Sequence, residues 1–227
     1  MKNHVKMEKK GFSTASLQTR IDMYKYLTVL AVTLILSSCA NPLNRITAQQ
    51  YYYGGLQSQN NGKWGDATIS FSRAYTNTQW GNLSDREAAL YAYEYGRTSG
   101  AVCDWDNAKK GLEKALQLDT KTNTPLHFDL IEFAQMYQAM GDFTESEKFF
   151  SITLENLDKH NVLTKFPTYY ADTLNRYSDV LNHLGKKSQS EAFKKRAEMI
   201  KKNNPDGEPY NAIPYGEFCH QKPKVSK

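Results

Sequence analysis

The feature that most constrains this fold is a self-similarity with a period of about 40 residues. An offset of 41 residues brings Trp64 onto Trp105 and Ala67 onto Ala108, and a further offset of 38 carries Trp105 onto Phe143. Large side chains coincide with large ones and small with small, which is typical of a repeated supersecondary unit. Because such a unit cannot bury its apolar face alone, we expect neighbouring units to pack against each other.

Each unit has the pattern of two helices. Between residues 126 and 157, apolar side chains recur at steps of three and four residues on both sides of Gly141. Glycine suits a left-handed helix end, and Asp142 with Glu145 has the spacing of a capping box. Residues 84–87 and 188–191 predict helix starts of the same kind. Since no stretch alternates with period two, the sequence predicts an all-α fold.

At these positions the chain resembles the tetratricopeptide repeat (TPR). In that family, small residues lie where the two helices cross, a glycine forms the turn, and aromatic side chains fill the next interface. The resemblance implies a right-handed superhelical solenoid of about four helix pairs. It covers residues 48–204, divided into the units 48–81, 89–122, 127–160 and 171–204.

Two units depart from the family pattern. In the second, Cys103 stands in place of the turn glycine. In the fourth, Lys187, Ser190 and Lys194 stand where aromatic, small and aromatic residues are expected. We therefore predict a slightly delayed last helix that Ser188 caps. Residues 205–227 contain four of the seven prolines, which predicts an extended C-terminal tail rather than another helix.

The N-terminus has the features of a secretion signal. Ten uncharged, mostly apolar residues at 27–36 follow Lys25, which is too short a run to span a bilayer but suits a signal peptide. The sequence Leu36-Ser37-Ser38-Cys39 then resembles the lipobox of bacterial lipoproteins. The resemblance implies cleavage of residues 1–38, with a possible translation start at Met23, acylation of Cys39 and a lipid-attached linker over residues 39–47. The alternative is a buried cysteine after a short core helix.

By the same resemblance, Ala40 after the cysteine favours the outer membrane, facing the periplasm, as the location in a bacterial envelope. Charge agrees with an N-terminal signal: the first 38 residues hold six basic and two acidic side chains, so residues 39–227 carry only +1. Nucleic-acid binding needs a concentrated cationic face, so we expect no nucleic-acid partner.

The sequence contains no pattern for catalysis, a cofactor or a metal. The five histidines show no paired-ligand spacing, and neither a phosphate loop nor a nucleophile elbow is present. We predict that the chain is not an enzyme. Cys103 and Cys219 remain after Cys39 in a compartment that tolerates disulfides, so they either pair or are two independent small core residues.

The remaining prediction is protein binding. The TPR resemblance implies that a concave groove, formed by the first helix of each unit, holds another envelope protein or peptide. Tyr and Arg are enriched in interface hot spots, which favours Tyr93 and Arg97, although a single tyrosine more often serves as half-buried packing. The alternative is a structural subunit of a larger envelope complex, without a groove ligand. The groove places fall on Tyr52, Leu56, Tyr93, Arg97, Ile131, Gln135, Gln138, Asn175 and Asn182.

Overall fold

The computed structural model describes residues 43–208 and 212–224. Over these residues the fold is all-helical, with nine α-helices and no strand. The predicted signal peptide, its cleavage site and Cys39 lie outside the described residues. The helices are α1 (residues 43–60), α2 (Trp64–Thr78), α3 (Asp85–Ala101), α4 (Trp105–Thr122), α5 (His127–Met140), α6 (Phe143–Lys159), α7 (Val162–Lys165), α8 (Pro167–His183) and α9 (Lys187–Asn203).

Four helix pairs share one turn geometry. The backbone takes a positive φ at Gly62, Cys103, Gly141 and Gly185, at +69°, +63°, +80° and +73°. These residues lie 41, 38 and 44 positions apart, so the turns follow the sequence repeat. Cys103 occupies a left-handed conformation that L side chains other than glycine and asparagine rarely adopt, at the position where the repeat predicts glycine.

Helix starts agree with the sequence prediction at two of three positions. Ser84 forms a complete capping box with Glu87 at the start of α3, and the Asp142 side chain accepts a hydrogen bond from Glu145 N at the start of α6. At the start of α4 the Asp104 carboxylate accepts a hydrogen bond from the Asn107 side chain and does not cap the helix.

The prediction of a delayed last helix was wrong. Helix α9 begins at Lys187 and has no side-chain cap. Ser190 is buried and its hydroxyl lies 2.9 Å from that of Ser178 on α8. Ser146 takes the equivalent place in the third pair, where it donates to the carbonyl of Ala134 on α5. The fourth pair therefore keeps the register of the third pair, with a buried serine at the equivalent position.

The two helices of a pair approach closely because small residues lie between them. A Cβ on Gly96 of α3 would lie 2.7 Å from the backbone nitrogen of Leu112 on α4, and one on Gly111 would lie 2.7 Å from Gly96 itself. Ala92 and Ala108 beside them are completely buried. This spacing explains why the repeat conserves size at these positions along the chain.

The first helices of successive pairs also contact each other side by side. The rings of Tyr52 on α1 and Tyr91 on α3 have centroids 5.0 Å apart, and Arg176 on α8 donates to Gln135 on α5 at 3.3 Å. Residues 43–47 of the predicted linker are helical and form the start of α1. Helix α7 is an addition between the third and fourth pairs that the repeat pattern does not contain.

Candidate functional site

The C-terminal segment of residues 212–224 packs across the ends of α2, α3, α4 and α5. Gly216 N donates to the carbonyl of Gly100 at 3.1 Å, and Phe218 N donates to that of Ala101 at 2.9 Å. The ring of Phe218 lies 5.7 Å from that of Trp64. Apart from one short 3-10 turn, the segment has no regular structure, as predicted, but it is packed on the helices rather than free.

Two glycines leave the space that this segment fills. A Cβ on Gly100 would overlap the ring of Tyr215, and one on Gly65 would overlap the backbone carbonyl of Gln221. The Gln221 side chain in turn accepts from Gly65 N at 3.2 Å and donates to the carbonyl of Gly62 at 3.3 Å. The helices α2 and α3 are therefore shaped for the C-terminal segment.

A disulfide joins the segment to the helices. It links Cys103, in the turn between α3 and α4, to Cys219, with a Cα–Cα distance of 4.9 Å and a sequence separation of 116 residues. The sequence left open whether these cysteines pair or lie apart, and the structure brings them together. In the chain-entropy account, a loop of this length gives a disulfide a stabilisation of about 4–5 kcal/mol.

The favoured binding residues Tyr93 and Arg97 belong to a polar cluster around Glu132. Tyr93 donates its hydroxyl to Glu132 at 3.0 Å, and the Tyr215 hydroxyl of the C-terminal segment donates to the other oxygen at 2.8 Å. The Arg97 guanidinium forms ion pairs with Glu132 at 3.4 Å and Glu94 at 3.1 Å. Glu132 is completely buried, so this cluster is an internal connection of α3, α5 and the C-terminal segment.

Burial affects the acidity of this cluster. Burial raises the pKa of Glu94, the nearby Arg97 cation lowers it, and the charge of Glu132 raises it further. One guanidinium therefore forms ion pairs with two buried carboxylates. Removal of Arg97 would take this cation away from both of them.

Two other predicted groove residues do not face solvent. Ile131 is completely buried, and Gln135 is only 3% exposed and accepts the hydrogen bond from Arg176. These residues pack between α5 and its neighbours, so their prediction as surface residues was wrong. The remaining predicted groove residues are at least partly exposed: Tyr52, Leu56, Gln138, Asn175 and Asn182.

An open cleft of about 730 Å³ lies where the starts of α5 and α8 meet the end of α9. Its walls include the rings of His127, Phe128, Phe166 and Tyr169. Phe128 and Phe166 are 49% and 62% exposed, which is high for aromatic side chains that border a cleft. The charged groups of the lining are Lys165, Asp206 and Glu208.

Two buried titratable groups lie in the first turn of α5, and one of them, His127, lines this cleft. Burial, together with the charge of His160, lowers the pKa of His127 to about 4, so its imidazole is neutral at pH 7. Burial, and then the neighbouring carboxylate of Asp119, raises the pKa of Asp129 to about 8. While both carboxylates are ionised, neither Asp129 oxygen has a hydrogen-bond partner among the described residues, but a protonated Asp129 can donate to Asp119.

Sequence reasoning missed Glu132, Tyr215, Phe128 and Phe166. One signal for Phe128 was available, because the offset of 38 residues pairs it with Leu90, and both are exposed, at 49% and 40%. An apolar residue that recurs at equivalent positions of the repeat but stays exposed indicates a surface with a role other than core packing. Tyr215 lies among other apolar residues of a proline-rich segment, a composition that already favours docking over a free tail.

No protein-family profile matches the chain, and no curated protein matches it at a significant level. Among the described residues, no group of three or more His, Cys, Asp or Glu side chains could hold a metal ion. None of the described helices is both long and apolar enough to cross a bilayer.

Proposed function

We propose that this chain is a TPR-like lipoprotein, anchored by Cys39 to the bacterial outer membrane, that acts as a protein–protein interaction adaptor in the envelope. The lipobox-like sequence at residues 36–39 supports the anchor. The repeated positive-φ turns and the side-by-side first helices support the TPR-like arrangement. A right-handed superhelix is the arrangement that this family adopts.

The cleft between α5 and α8 is the observation that carries the adaptor function. It lies at the starts of α5 and α8, the first helices of the third and fourth pairs, and the TPR resemblance locates the binding surface on these first helices. Phe128 lies three residues before the predicted groove position Ile131. Its exposed rings and its volume of about 730 Å³ suit one or two apolar side chains of a partner segment. The neutral imidazole of His127 adds a polar group without adding charge.

This assignment changes the choice of residues for mutagenesis. The sequence favoured Tyr93→Ala with Arg97→Ala as a change that would abolish binding without unfolding. Because both side chains satisfy the buried Glu132, we expect that double variant to be strongly destabilised. A test of binding therefore needs cleft residues, whose side chains are exposed.

A photoreactive residue at position 128 tests the proposal in the producing cell. We expect light to link the protein to one defined envelope partner, and Phe166→Ala to reduce the yield of that adduct at least fivefold. A photoreactive residue at Met199, which is 60% exposed on α9, is the matched control and should give no such adduct. Equal adducts at both positions, or none at position 128, would contradict an adaptor role for this cleft.

A second function is favoured by the C-terminal segment. It covers the ends of four helices and satisfies Glu132, so part of the predicted binding layer is already occupied within the chain. This arrangement suits a structural subunit of a larger envelope complex, which binds neighbours through its outer helices. In that case crosslinks from α2, α4 or α6 should appear in place of those from position 128.

A further inference from the structure

The first helix has an apolar face that no described residue covers. Leu43, Ile46 and Tyr53 are 64%, 52% and 67% exposed. Their spacing of three and seven residues places them on one side of α1. The opposite side contains Ala48, which is completely buried, and Gly55, where a Cβ would lie 2.7 Å from the ring of Phe71 on α2.

A fourth exposed apolar side chain, that of Trp80, belongs to the loop at the N-terminal end of α1. It is 64% exposed, and its carbonyl accepts a hydrogen bond from the Asn44 side chain at 3.4 Å. The loop after α2 therefore places an exposed tryptophan beside the first turn of α1. We call Leu43, Ile46, Tyr53 and Trp80 the first-hairpin patch.

We propose that the first-hairpin patch rests on the lipid surface to which the chain is attached. The inference depends on the proposed acylation of Cys39, from which only three residues separate Leu43. Four residue steps span at most about 14 Å, so the lipid anchor holds the start of α1 beside the headgroups. Tryptophan and tyrosine concentrate at the boundary between water and lipid, and leucine and isoleucine enter the adjacent acyl region.

The size of the patch favours lipid over a protein partner. Four side chains offer on the order of a few hundred Å² of apolar surface, whereas a stable protein interface buries roughly 1,200 Å² or more. A tethered surface needs no such area, because the tether converts the contact into an intramolecular event with a high effective concentration. Contact along α1, from Leu43 to Tyr53, would fix the orientation of the helix pairs relative to the membrane.

Tryptophan quenching tests this contact in the acylated full-length product. The protein is purified from its membrane, its mass at Cys39 is determined, and it is placed in phosphatidylglycerol–phosphatidylethanolamine vesicles with brominated acyl chains. Of the other two tryptophans, Trp64 is only 9% exposed and Trp105 is partly buried, so Trp80 is the most exposed of the three. We expect Trp80→Phe to reduce the quenched fraction of emission at least twofold.

A paired variant extends the test to α1. Leu43→Ser with Ile46→Ser should also lower the quenching by at least twofold, while the control Met199→Ser, equally exposed on α9, should leave it unchanged. If Cys39 is acylated but the quenched fraction of emission in Trp80→Phe equals that of the wild type, the patch does not contact lipid. The proposed anchoring through Cys39 is then unaffected. An unmodified Cys39 overturns both proposals. Shielding of Trp80 from iodide without lipid quenching shows a protein cover and also overturns the inference.

Discussion

Asp129 makes the stability of this fold depend on pH in a way that one substitution should remove. Its pKa in the folded chain is about 8, against 3.8 in the unfolded chain. Between these values the folded state keeps a proton that the unfolded state has lost, so stability falls as the pH rises. Above pH 8 both states are ionised and this contribution no longer changes.

His127 restricts the pH range in which this effect can be measured. Its pKa falls from 6.5 to about 4 on folding, so below pH 6.5 its contribution to stability rises with pH and opposes that of Asp129. Above pH 6.5 the contribution of His127 no longer opposes that of Asp129. Over the 1.5 units from pH 6.5 to 8, the loss should be about 1.5 kcal/mol, since each unit is worth about 1.4 kcal/mol and Asp129 is half ionised at the upper end.

Asp129→Asn should remove the part of this slope that Asp129 contributes. The amide has the shape of the acid and donates to Asp119 at every pH, as the protonated carboxyl does. Urea unfolding at pH 6.5, 7.25 and 8 gives the free energy directly. Asp179→Asn, an exposed carboxylate on α8, is the control and should retain the wild-type slope. A wild-type stability that is constant over this range, or the same slope in Asp129→Asn, would refute the assignment of the proton.

Three further predictions concern packing, capping and the disulfide. Gly96→Ala should lower the free energy of unfolding by roughly 2 kcal/mol, because its Cβ meets the backbone of α4, while Gly54→Ala, with no atom within 4 Å, should be neutral or stabilising. Ser84→Ala should lower the free energy of unfolding by about 1 kcal/mol, because the capping box at the start of α3 is lost. Urea unfolding measures this change, and Ser188→Ala, which removes no cap, is the control. Cys103→Ser with Cys219→Ser should cost about 4–5 kcal/mol, and a reducing agent should lower the thermal midpoint of the wild type to that of the variant. An unchanged midpoint would show that the disulfide adds no stability.

The regular part of the fold could be predicted because it depends on local pattern. The positions of the turns at Gly62, Cys103 and Gly141 follow from the offsets of 41 and 38 residues, and the paired helices follow from apolar periodicity. The local sequence at Ser188 gave a wrong prediction of the start of α9. A serine followed by a glutamate three residues later looks like a cap, but the buried contact between Ser178 and Ser190 determines where α9 begins.

Features that depend on long-range contacts could not be predicted in the same way. The short helix α7 interrupts the repeat, and only the proline at the start of α8 indicated that a new helix begins there. Glu132 and Tyr215 meet across 83 residues, and no local pattern marks that pair. The candidate cleft likewise forms from three separate parts of the chain, so its aromatic lining became visible only in the structure.

The contact between the two ends of the described chain has a consequence for biogenesis. Gln221 bonds to Gly62 and Gly65 across 159 and 156 residues, so the first described pair of helices is completed by residues that are synthesised long after it. A chain of helical repeats can otherwise acquire structure from the first unit onward, each new unit packing on the one before. Here the first pair has to wait until residue 221 has been made and an oxidant has joined Cys103 to Cys219, and a product that stops before residue 212 lacks the segment that closes it.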